Sequence, residues 1–251
     1  MPLGMNHDLV FRVGLAALLG VMAAAGNLIG GYFVVRGDWS RKYLQYFLAL
    51  GAGYMLAVAF LDIIPESVRL SGERAFLYVL IGFFLVHLFE HTIAPHFHFG
   101  EETHHEEVSH GHARTTVLLG LAIHTFFDGV AIAAGFLVST WLGGIIFIAI
   151  FLHKLPEGFT VASLMLASGR SRKAAFVSAC ILGATTLLGM IFMFLVRGTL
   201  TYALPIAAGV TLYVAASDLI PETNKEHGVG MALLVFVGVA VMLGLKLAFH
   251  L

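Results

Sequence analysis

Eight separate stretches of this chain are apolar for about 20 residues or more, enough for a helix to cross the ~30 Å hydrocarbon core of a bilayer. They run roughly over 9–35, 43–67, 75–95, 115–138, 141–167, 174–196, 200–222 and 229–250. Barrel strands need only about ten alternating residues, so runs of this length read as helices. The expected fold is all-α: a polytopic membrane protein with eight transmembrane helices, forming one domain over 1–251. The first run is longer than a signal-peptide core and leads into further spans, so it is expected to stay as a helix. Composition supports this, with 59% hydrophobic and 12% charged residues, where soluble domains carry roughly 45–50% and about 25%. The single cysteine, Cys180, excludes a disulfide framework or a site of several thiolates, which leaves His, Asp and Glu as metal ligands. A formal net charge of −1 gives no reason to propose nucleic acid as a partner.

The one sizeable polar connector, 96–114, reads HFHFGEETHHEEVSHGHAR. On its side of the membrane fall Arg36, Arg41, Lys42, Arg114, Arg170, Arg172, Lys173 and Lys225, eight in all, against five opposite: Arg12, Arg69, Arg74, Arg197 and Lys246. By the positive-inside rule both termini face out and the histidine-rich connector faces the cytoplasm.

The chain repeats itself. GAGYMLAVAFLDIIPE at 51–66 aligns with AAGVTLYVAASDLIPE at 207–222, an offset of 156, with nine of sixteen positions identical. Asp62/Asp218, Pro65/Pro221 and Glu66/Glu222 are among the matches. These segments lie in the second and seventh helices, which an eight-helix alternation runs in opposite directions, as in the inverted repeats of many secondary transporters. A shorter repeat relates HTFFDG at 124–129 to HKLPEG at 153–158.

The short repeat carries the chemistry. His124 and Asp128 stand four apart on one face of the fourth helix, and His153 and Glu157 do the same on the fifth. The histidines lie about ten and about twelve residues into their helices, so at ~1.5 Å per residue both sit near mid-bilayer. Two imidazoles and two carboxylates at one depth suit a divalent metal, which offsets the several kcal/mol that a lone carboxylate costs there. The alternative is a pair of structural hydrogen bonds. Pro156 favours the site, because it takes the amide from the Leu152 carbonyl and loosens the helix beside His153.

These residues resemble the ZIP family of divalent metal transporters: eight helices, outward termini, a histidine-rich connector after the third helix, and the motifs HTFFDG and HKLPEG. The resemblance covers essentially the whole chain. It implies a 3+2+3 arrangement, in which helices one to three and six to eight are inverted repeats around helices four and five. It also implies uptake of zinc or related metals into the cytoplasm, with His124, Asp128, His153 and Glu157 as ligands. Many members carry Asn after the first motif histidine and an acidic or amide residue after the second, where this chain has Thr125 and Lys154. Lys154 stands three residues from Glu157 and can supply the charge of a second cation, so a single-metal site is expected.

Further polar residues outline a route. Asp62 and Glu66 fall toward the outer mouth and their repeat mates Asp218 and Glu222 toward the inner one, while His87, Glu90, His91, His96 and His98 line the cytoplasmic end of helix three. For Glu66 and Glu222, hydration at a helix end is an equal reading. His104, His105, His110 and His112, among four glutamates, are expected to bind metal weakly on a disordered loop or to be plain linker.

Two rival functions are weaker. An intramembrane zinc-dependent hydrolase needs an open metal position and a general base, and HExxH is absent. A monovalent-ion antiporter or channel would use carboxylates without paired histidines. No cofactor is expected beyond the transported metal, Zn²⁺ with Fe²⁺, Mn²⁺, Co²⁺ and Cd²⁺ as alternatives that ligand type does not separate. The expected partners are divalent metal ions and the lipid bilayer, in the plasma (inner) membrane, with a homodimer left open.

Overall fold

The computed structural model describes residues 7–37, 41–92, 111–225 and 229–249, without the side chains of 41, 42 and 111–117. All described elements are helices. Eight of them are long and apolar enough to span a membrane: α1 His7–Arg36, α2 over 41–71, α3 Arg74–Thr92, α4 Gly111–Val138, α5 Thr140–Ala167, α6 Arg172–Leu195, α7 Arg197–Asn224 and α8 Val229–Ala248. The protein is an integral membrane protein. Helices satisfy their backbone groups internally, which is the condition for crossing hydrocarbon. Their ends follow local chemistry. Ser139 and Ser171 cap α5 and α6 by accepting from the amides of Leu142 (3.1 Å) and Ala174 (3.2 Å). Gly37, Gly72 and Gly169, all at positive φ, close α1, α2 and α5.

Two helices widen by a π-turn at matching places, Ala59–Ile63 in α2 and Val214–Leu219 in α7. Each is followed within two residues by a proline, Pro65 or Pro221, that cannot donate to the carbonyl four residues back. The repeat read at offset 156 therefore extends to backbone shape. It also extends to packing. Gly53 of α2 meets the Val235 carbonyl of α8, and at the same offset Gly209 of α7 meets the Val79 carbonyl of α3. Around the centre, Gly158 of α5 meets the Asn27 carbonyl of α1, while Gly129 of α4 meets the Thr186 carbonyl of α6. A Cβ at any of these four would collide with the facing backbone, so glycine sets how closely the helices approach.

α1 packs on α5 as α6 packs on α4, and α2 on α8 as α3 on α7. α4 and α5 pack against each other and against helices on either side; α5 is the most enclosed of the eight, with α4 and α7 next. That enclosure positions the polar residues they carry. α4 starts at Gly111, which makes 111–114 of the polar connector its first turn.

Candidate metal centre

Spacing alone places His124, Thr125 and Asp128 on neighbouring faces of α4 and His153, Lys154 and Glu157 on α5. The structure turns these faces toward each other and seals them. None of the six is more than 1% exposed. One ligand atom from each of His124, Asp128, His153 and Glu157 lies within 4.8 Å of the other three. Among the described residues this is the group of His, Cys, Asp and Glu side chains gathered tightly enough to hold a metal ion.

His153 Nδ1 lies 3.2 Å from the Ala149 carbonyl, one turn back on its own helix. With its proton committed there, a neutral ring turns the lone pair of Nε2 toward Asp128 Oδ2, 3.2 Å away. A lone pair against a carboxylate is unfavourable until a cation lies between them. His124 Nε2 has no hydrogen-bond partner, although it lies 3.5 Å from Glu157 Oε1 and 3.8 Å from Asp128 Oδ2. Two imidazole nitrogens and two carboxylates so arranged form a donor set for a transition dication, with zinc–ligand bonds of about 2.0–2.2 Å.

Lys154 holds the carboxylates in place. Its Nζ lies 2.7 Å from Asp128 Oδ2 and 2.6 Å from Glu157 Oε2. Thr125 Oγ1 shares its single proton between Glu157 Oε1 and the Leu121 carbonyl (2.6 Å). The sequence pointed to the Lys154–Glu157 pair; the bridge to Asp128 is made across helices. Asn27 of α1, fully buried, was not singled out from the sequence. With its amide oriented to suit both neighbours, it donates to the Lys154 carbonyl and to Glu157 Oε2 (3.2 Å). The available signal was an amide within an apolar run, beside Gly26, Gly30 and Gly31.

The other expected residues lie outside this group. Asp62 pairs with Lys246 of α8 (3.0 Å), and Glu66 pairs with the exposed Arg69 at its own helix end. Glu90 accepts from the Tyr213 hydroxyl (2.8 Å), and the rings of His87 and His91 stand 4.0 Å apart. Asp218 and Glu222 are buried, the latter paired with Lys225 (2.8 Å). His96, His98, His104, His105 and His110 lie outside the described residues, as does the side chain of His112.

A family model described as ZIP zinc transporter matches residues 10–117 and 113–246. The chain belongs to this family. Among individual relatives, zinc transporter ZIP9-B of Xenopus laevis is 26% identical over 83% of this chain and 84% of its own length. Zinc transporter ZIP10 of Homo sapiens is 32% identical over 52% of this chain, a match that spans 18% of that longer protein. Zinc transporter ZIP13 of Danio rerio is 33% identical over 52% of this chain and 40% of its own length. As a ZIP protein the chain is a metal-ion transporter embedded in the membrane, not an enzyme.

Proposed function

We propose that this ZIP protein carries zinc across the plasma membrane into the cytoplasm, binding one ion at a time between α4 and α5. The observation that carries the reading is the convergence of His124, Asp128, His153 and Glu157, fully enclosed and within 4.8 Å of one another. An ion reaching this point gains four ligands that are neutral or anionic and displaces the Lys154 ammonium from Asp128 Oδ2 and Glu157 Oε2. Ligand exchange between imidazole and carboxylate keeps such a dication mobile, and Fe²⁺, Mn²⁺, Co²⁺ and Cd²⁺ are competing cargoes.

The matched close approaches of Gly53/Gly209 and Gly129/Gly158 support a 3+2+3 inverted repeat, with α1–α3 and α6–α8 related about α4 and α5. The basic connectors support outward termini. In that orientation Asp62 faces the outside, and Asp218, Glu90, His87 and His91 face the cytoplasm, where they offer the departing ion oxygen and imidazole stops. Glu66, bound to Arg69 at an exposed helix end, fits the hydrated reading. All four ligands come from one copy of the chain, so the site does not need a homodimer to be complete.

Reconstitution into proteoliposomes tests the reading. Zinc should accumulate in wild-type vesicles, and both His124→Ala and Glu157→Ala should abolish it while keeping the thermal unfolding of a folded protein. Wild-type uptake by either variant would refute the site.

A further inference from the structure

Within the aligned stretch the repeat reverses the sign of a charge at one pair of positions. The offset of 156 that carries Asp62 onto Asp218, Val79 onto Val235 and Gly82 onto Gly238 also carries Glu90 onto Lys246. An acid at one end of the molecule thus corresponds to a base at the other.

The consequences are local and physical. Pro65 cannot donate to the Leu61 carbonyl, which sits beside Asp62 in the π-turn of α2. Lys246 reaches from α8 to both groups, with Nζ 2.8 Å from the Leu61 carbonyl and 3.0 Å from Asp62 Oδ1. Two further oxygens of α2, Asp62 Oδ2 and the hydroxyl of fully buried Tyr54, have no hydrogen-bond partner. At the opposite end Pro221 likewise takes the donor from the Ser217 carbonyl beside Asp218. There the equivalent of Lys246 is Glu90, whose carboxylate accepts from Tyr213. One end combines a freed carbonyl and a carboxylate with an ammonium. The other combines the same groups with a second carboxylate.

We propose that Lys246 is a tethered cation occupying a divalent-cation stop that the repeat builds at Asp62, so that it sets how readily cargo is taken up at that mouth. This rests on the reading that Asp62 lies on the cargo's route. A dication arriving there meets an ammonium already bound to the carboxylate and the freed carbonyl, and is repelled until it displaces it. Without the ammonium, the Asp62 carboxylate and the Leu61 carbonyl present oxygens that hold a dication weakly.

Cadmium binding to the purified full chain tests this by calorimetry. Lys246→Glu places at the α2/α8 end the carboxylate that Glu90 supplies at the other and should add one equivalent of cadmium, at least about tenfold weaker than the central one. The added equivalent should vanish in Lys246→Glu/Asp62→Asn, with the tight central equivalent retained. Lys246→Met should show the same Asp62-dependent gain at lower affinity, and it carries the test if Lys246→Glu does not fold. In proteoliposomes Lys246→Glu should lower the KM for cadmium offered to that face by about tenfold, with a smaller change in kcat. No added equivalent in either Lys246 variant, or one that survives Asp62→Asn, overturns the proposal. Because the binding count needs no transport, an added equivalent without any uptake would strike the transport reading, and with it the effect on uptake, and leave only the cation stop at Asp62 standing.

Discussion

Lys154 sets its ammonium 2.7 Å from Asp128 Oδ2 on the neighbouring helix, so the carboxylate a metal needs is already engaged by a cation of the protein itself. Lys154→Met would leave Asp128 and Glu157 buried and close together without that cation. Breaking a buried ion pair by removing one partner costs about 3–5 kcal/mol. The metal-free variant should therefore melt well below wild type, and zinc should raise its melting temperature by more than it raises that of wild type. Equal zinc stabilisation of the two proteins would mean that ammonium and metal do not compete.

Removal of a ligand should act on binding and transport together. Asp128→Asn keeps the size of the side chain but loses the charge that faces both His153 and Lys154. Its zinc affinity should fall by more than about a hundredfold, beyond the 10–100-fold typical of losing a partner outside the ligand set. Replacing His104, His105, His110 and His112 together should reduce uptake far less, because α4 and α5 already bring four ligands together at the centre. Direct measurement of zinc uptake in the two variants decides the ranking, and a dead loop variant would assign that segment an essential step.

Acidity should weaken binding. Each of the four ligands binds metal only in its deprotonated form, so protons and zinc compete for the same atoms. As the pH falls between about 7.5 and about 5.5, where imidazoles ordinarily gain charge, zinc affinity should decline. Calorimetry over that range should show protons released on binding, and a flat affinity would exclude imidazole ligation.

The paired close approaches can be tested by adding one carbon. Gly129→Ala and Gly158→Ala place a methyl group against the Thr186 and Asn27 carbonyls, and each should destabilise the protein by about 1–3 kcal/mol, as overpacked cores do. Gly144 has nothing within 4 Å of an added Cβ, so Gly144→Ala should be neutral or gain roughly the 1 kcal/mol of helix propensity. Thermal unfolding of the three variants in one detergent separates the cases. If all three behave alike, close packing at the centre is not what fixes these glycines.

What the sequence revealed depended on distance along the chain. The pairs His124/Asp128 and His153/Glu157 were legible because a helix alone puts residues four apart on one face. Partners brought by another helix were not: Asn27 at Glu157, Asp128 at Lys154, Tyr213 at Glu90 and Lys246 at Asp62 all depend on packing. Lys246 was visible only as a charge bearing on topology. The repeat could be read in α2 and α7, where Asp, Pro and Glu mark the register. In α3/α8 its marks are packing positions such as Val79/Val235, and apolar helices tolerate too many substitutions for those to stand out.

Lys154 should also limit the centre to one metal. With Asp128 and Glu157 ionised and Lys154 protonated, the formal charge is −1 before loading and +1 with one dication bound. A second dication would bring it to +3 in an enclosed site, where even unit charges ~4 Å apart repel by about 4 kcal/mol at an effective dielectric of 20. Thr125 and Lys154 already engage three of the four carboxylate oxygens, so a second ion would also find few ligands. Lys154→Asp/Thr125→Asn shifts the balance by two charges and adds oxygen donors between the same helices. Crystals soaked in cadmium should show one anomalous peak in wild type and partial occupancy of a second position in the double variant. Two full wild-type peaks about 4 Å apart would show that the Lys154 ammonium does not exclude a second ion.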